Sequence, residues 1–112
     1  MMRKAFFIAA LAALASATSA QAAPTGPSHI NANVAGCQSQ ALFDKIATIA
    51  AEGDKQTAEE LLAEGVNAGQ CVALTSGEAV YIEDMTTDGR LVKIRPKGQV
   101  YSYWTGAMFV TP

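Results

Sequence analysis

The chain predicts an α+β fold in which a disulfide-linked N-terminal helical hairpin packs on a small antiparallel sheet or partial barrel. Apolar residues recur at spacings of three and four between Ser39 and Glu64, then switch to alternation from Cys71 to Thr105. Helices therefore precede strands instead of interleaving with them, which argues against a wound parallel sheet. The only two cysteines, Cys37 and Cys71, bracket the helical stretch.

Residues 1–22 read as an export signal. Arg3 and Lys4 form the positive start, residues 5–17 the apolar stretch, and Ala20-Gln21-Ala22 the small-x-small cleavage pattern. The apolar stretch is followed too soon by Pro24, Gly26 and Pro27 to be a membrane span, which needs roughly 20 apolar residues. No later segment qualifies, so the expected address is periplasmic or secreted, without a membrane span. Val34-Ala35-Gly36-Cys37 resembles a lipoprotein lipobox, but Pro24, Pro27, His29, Asn31 and Asn33 separate it from the apolar stretch. Lipidation of Cys37 would also strand Cys71.

Cleavage after Ala22 leaves roughly 90 residues, enough for one small domain. It removes Arg3 and Lys4 from 8 basic residues that already face 10 acidic ones, so the charge falls below the −2 of the whole chain. Nucleic acid, whose phosphates demand a basic surface, is not an expected partner.

Residues 23–36 are rich in Pro, Gly, Ser, Thr and Asn and lack apolar periodicity, which predicts a flexible arm. His29 lies within it, with no carboxylate or nucleophile beside it in sequence. The domain proper is then residues 37–112, with the hairpin over 37–70 and the β portion over 71–112. In an oxidising compartment Cys37 and Cys71 are expected to form a disulfide. Closing that loop stabilises by about 3.8 kcal/mol in the chain-entropy model. Two cysteines and a distant His29 are too few to ligate a metal, and no cofactor is expected.

In the first helix, residues 39–51, Leu42, Phe43, Ile46, Ile49 and Ala50 share a face. Gly53 ends it and Asp54 caps the second, whose buried stripe is Ala58, Leu61 and Leu62. Gly65 is expected to stop that helix, with Val66 making the accompanying apolar contact. Asp44, Glu52, Asp54, Glu59, Glu60 and Glu64 outnumber Lys45 and Lys55 on the outer face. Such a face is either a solvated helix surface or a docking site for a cationic partner.

Four strands follow, over residues 71–74, 78–85, 90–95 and 99–105, divided by turns at Ser76-Gly77, Thr87-Asp88-Gly89 and Pro96-Lys97-Gly98. Val80 and Ile82 fall on one side of the second, Tyr81 and Glu83 on the other. Alternation sets Trp104 with Val100 and Ser102, and Tyr101 with Tyr103, without deciding which side is buried. Lys93, Arg95 and Lys97 fall on one side of the third strand and its turn, as edge protection or as a patch for an anionic polymer or protein face.

The runs Gly77-Glu78-Ala79-Val80-Tyr81-Ile82 and Leu91-Val92-Lys93-Ile94-Arg95, then Gly98, then Tyr103-Trp104-Thr105-Gly106-Ala107-Met108-Phe109-Val110 resemble the second half of a bacterial SH3-like (SH3b-type) domain. The match spans residues 77–110. Tyr103 stands where that family usually has glycine, Thr105 where it has an apolar residue, and the family's first strand and ligand loop have no counterpart. The resemblance implies an SH3-like sheet with a groove bordered by Trp104 and Phe109, which Tyr81 or Tyr101 would line if they face outward.

Nucleophile-elbow, zincin, phosphate-loop and CxxC patterns are all missing from the sequence. The expected function is an exported, non-enzymatic binding or accessory module for an unidentified protein, peptide or cell-wall fragment. The alternative is an exported inhibitor or immunity-type protein that uses its acidic helical face.

Overall fold

The structure, a computed structural model, describes residues 27–112; the export-signal segment and the first residues of the expected arm lie outside the described residues. The elements run Ser28–Ile30 (β1), Val34–Cys37 (β2), Gln40–Ala51 (α1), Lys55–Asn67 (α2), Cys71–Leu74 (β3), Ala79–Met85 (β4), Leu91–Pro96 (β5), Tyr103–Gly106 (β6), a 3-10 turn at Ala107–Phe109, and Val110–Thr111 (β7). The fold is α+β, with two helices and one curled antiparallel sheet of order β3-β2-β6-β5-β4-β1-β7.

Two strands replace most of the described part of the expected arm, residues 27–36. Ile30 is buried in the core, and β2 sits between β3 and β6 inside the sheet. The polar residues that suggested disorder satisfy backbone groups elsewhere. Asn31 Nδ2 donates to the Met108 carbonyl at 3.1 Å and to Thr111 Oγ1 at 2.9 Å, and Asn33 Oδ1 accepts from the Ser76 amide at 3.0 Å. The helices therefore do not head the domain, since β1 and β2 precede them.

The inner face of the curled sheet holds Ile30, Leu74, Val80, Val92, Ile94 and Tyr103 as one buried cluster. Gly36 belongs to this packing: a Cβ there would lie 3.0 Å from that of Tyr103 and 3.1 Å from Leu74 Cδ1. Ile82 shares the face by its pairing with Ile94, yet it is 46% exposed, because a register shift between Ile82 and Asp84 carries the end of β4 beyond the core.

On the outer face, the helices cover β2, β3 and one end of β6. Ser39 caps α1 by accepting from the Leu42 amide, Gly53 follows it at φ 94°, and Asp54 caps α2 by accepting from the Thr57 amide. Gly65 departs from expectation. The helix runs through it to Asn67, and the left-handed residue beyond is Gly69 at φ 77°. Gly65 is required instead where α2 crosses the disulfide, because a Cβ there would stand 2.6 Å from Cys71 Sγ. Cys37 and Cys71 are bonded, directly opposite each other on β2 and β3, with Cα atoms 4.0 Å apart.

The last strand also starts later than alternation suggests. Residues 99–102 make no ladder pairs, and β6 begins at Tyr103. Tyr103 is buried while Tyr101 is 61% exposed, so the two do not share a strand face. The Arg95 guanidinium, donating to the Gln99 carbonyl at 3.2 Å, ties this connection to β5.

Candidate binding cleft beside Trp104

Strand pairing places Cys71, Cys37, Trp104, Lys93 and Asp84 opposite one another in a single row across β3, β2, β6, β5 and β4. Cross-strand partners share a sheet face, so the row runs from the disulfide beneath the helices out to solvent. Trp104 sits where the cover ends and is half-buried. Beside it, a cleft of about 420 Å³ opens between α1 and the loop joining β4 to β5, lined by Gln40, Asp44, Asp84, Thr86, Asp88 and Arg90 among others.

The loop is held by its own side chains. Asp88 Oδ1 accepts from the Thr86 hydroxyl at 2.7 Å and from the Arg90 amide at 3.0 Å, while Oδ2 accepts from Arg90 Nε at 2.9 Å. These bonds, led by the Arg90 amide, lower the Asp88 pKa to about 2. Arg90 also reaches Asp44 on α1 at 3.7 Å, which ties the loop to the helix. Three carboxylates and one guanidinium thus surround the Trp104 side of the cleft. Held ionised, Asp88 can accept hydrogen bonds from a cationic or hydroxyl-bearing group.

The expected site residues divide among separate places. Lys93 adjoins Trp104 in the row, and Arg95 lies two residues further along β5. The Arg95 guanidinium sits 5.1 Å from the Tyr81 ring centroid and donates from Nε to Glu83 Oε2 at 2.9 Å. The Ser102 hydroxyl also donates to Glu83, and these two contacts, Ser102 first, lower the Glu83 pKa. Lys93 and Arg95 therefore stand among Asp84 and Glu83 and do not form a purely cationic patch. Lys97 is exposed in the turn after β5.

Phe109 and Trp104 line different pockets, which share Arg90 and Leu91. That of Phe109 is an apolar groove with Phe43, Ala47, Leu91 and Met108, so Trp104 and Phe109 do not border one pocket. Tyr101 lies at a third place, with Val66, Cys71 and Tyr103. His29 is exposed on β1. Among the described residues no group of three or more His, Cys, Asp and Glu is placed to hold a metal ion, and no cysteine thiol is free.

Asp44, Asp84, Asp88 and Arg90 carry no signal in the sequence of a shared cleft. Asp88-Gly89 carried a turn signal, and Asp44 counted as part of a solvated helix face; only the Arg90 contact joins them. Comparison with protein-family models, with curated proteins and with solved structures found no match for the chain.

Proposed function

We propose that the chain is an exported, non-enzymatic binding or accessory module that recognises a protein, peptide or cell-wall fragment through Trp104 and the cleft beside it. The observation that carries this reading is the half-buried Trp104 next to an open, carboxylate-lined cleft. An indole face beside acceptor-rich side chains matches a sugar ring or a cationic group. Lys93, Arg95 and Tyr81 extend the same surface along β5 and β4. The signal-like N-terminus and the disulfide support an exported setting, and the SH3-like resemblance of residues 77–110 points to a binding role.

Trp104 is the only tryptophan, so its emission reports the cleft directly. Titration with soluble peptidoglycan fragments, alongside co-sedimentation with purified cell walls, tests the reading. A saturable emission change that Asp84→Lys weakens supports it. Saturable binding that leaves Trp104 emission unchanged and is indifferent to Asp84→Lys removes the cleft from the function.

The inhibitor reading keeps one specific support. Glu52, Glu59, Glu60 and Glu64 are all exposed on the helical side of the molecule. Its partner would be cationic, and Glu59→Lys with Glu60→Lys would abolish that complex while leaving cell-wall binding intact.

A further inference from the structure

The two ends of the sheet are finished differently. At one end β7 has only two residues, Val110–Thr111, and Pro112 follows it. At the other, among the described residues, β3 pairs with β2 alone, in unbroken register from Cys71 to Leu74. Exposed edges are normally blunted by a charge, a proline or a bulge. Cys71-Val72-Ala73-Leu74 has none of these.

The register says which groups that edge presents. The 4.0 Å Cα separation marks Cys37 and Cys71 as a close, non-hydrogen-bonded antiparallel pair. Bonded and non-bonded pairs alternate, so Val72 and Leu74 bond to β2, while Cys71 and Ala73 direct their N–H and C=O groups away from it, toward the open side. An added strand could take hydrogen bonds from both residues.

Two apolar grooves adjoin the strand and share Val66, Val72 and Ala73. One, of about 450 Å³, is lined by Ala35 and Ala73 together with Leu62 and Val66 of α2. The other, of about 630 Å³, includes Val72, Tyr101 and Tyr103. Val66 is 45% and Tyr101 61% exposed, so apolar surface remains uncovered beside the edge. Apolar side chains of an incoming strand would lie against these grooves.

Charge decides the occupant. From Gln56 to Gly89 the chain carries Glu59, Glu60, Glu64, Glu78, Glu83, Asp84 and Asp88 and no lysine or arginine. Glu78 stands at the Leu74 end of the edge, accepting from the Thr75 amide at 3.1 Å, and Glu59 lies one helical turn before Leu62. A second copy joined at the same edge would bring two acidic α2 helices together. A partner with basic residues would not meet that repulsion.

We propose that the open edge of β3 is a strand-addition site for an extended peptide segment of a partner, apolar along its length and basic at the end lying against Thr75 and Glu78. The peptide gains affinity from main-chain bonds to Cys71 and Ala73, selectivity from the two grooves, and orientation from the acids. This surface is separate from the Trp104 cleft, and the proposal does not rest on that cleft's role.

The test uses the oxidised protein and a capped, fluorescein-labelled octapeptide, Lys-Lys-Val-Leu-Val-Leu-Ser-Ser, followed by anisotropy. Saturable binding is expected. N-methylation of one alternate set of peptide residues should weaken it at least about tenfold, and methylation of the other set should leave it nearly unchanged. Ala73→Pro should cause a similar loss, because that N–H makes no bond to β2 and the substitution costs the fold no ladder hydrogen bond. Replacing both peptide lysines by glutamate should abolish binding. The methylated peptides keep the test decisive even if Ala73→Pro unfolds. The proposal is overturned by absent binding, by equal effects of the two methylation sets, by tight binding of the glutamate peptide, or by a dimer in sedimentation that Ala73→Pro dissociates.

Discussion

Gly65→Ala sets two effects of opposite sign against each other, and the structure decides between them. In an exposed helix interior, replacing glycine by alanine gains about 1 kcal/mol. Here the new Cβ would lie 2.6 Å from Cys71 Sγ and 3.4 Å from Cys71 Cβ. That sulfur cannot rotate aside, because it is bonded to Cys37 and both cysteines are buried. Relief must come from moving α2 off the sheet. Overpacking of this kind costs about 1–3 kcal/mol, and a fixed obstacle places it toward the upper end. The net expectation is a loss of about 1–2 kcal/mol, or roughly 5–15 °C in Tm for a domain of this size. Thermal and urea unfolding of oxidised Gly65→Ala measures it. The same substitution in a Cys37→Ala, Cys71→Ala background, where the sulfur is gone, should instead be neutral or stabilising. Gly65→Ala raising Tm in the oxidised protein, or changing it equally in both backgrounds, would refute the reasoning.

Removing the disulfide with Cys37→Ser and Cys71→Ser should cost about 2–5 kcal/mol in chemical unfolding, and thiol titration of the denatured, unreduced protein should find no free cysteine. Thr105 is fully buried and its hydroxyl donates to the Ala35 carbonyl at 3.0 Å, beside the single ladder pair that joins β2 to β6. Thr105→Val, equal in shape, should therefore destabilise by about 1–2 kcal/mol in urea unfolding, and no loss would show that the carbonyl finds another donor. Asp88 has its pKa lowered from 3.8 to about 2 in the fold. Its stabilising contribution is complete above about pH 4 and disappears as pH falls toward 2, so Asp88→Asn should flatten the stability profile in that window; an NMR carboxyl titration of Asp88 with its midpoint near 4 would contradict this.

Local signals along the chain account for part of this fold. The cap at Asp54, the left-handed Gly53, the alternation that makes β4 and β5, and the turn at Asp88-Gly89 are set by side chains within a few residues of the backbone they control. The pairing of Cys37 with Cys71 was legible because no other cysteine competes. The rest depends on contacts between residues distant in the chain. β1 is too short and polar to declare itself and β2 is only four residues interrupted by Gly36, and they become strands because the edge of β4 and the gap between β3 and β6 supply their hydrogen bonds. Gly65 carried the same letter as a helix terminator, yet its role is set by a sulfur on another element. The cleft beside Trp104 was hidden for the same reason. Asp44, Asp84, Asp88 and Arg90 come from a helix, a strand end and a loop, and nothing in local spacing brings together groups that meet only when α1 folds down onto the sheet.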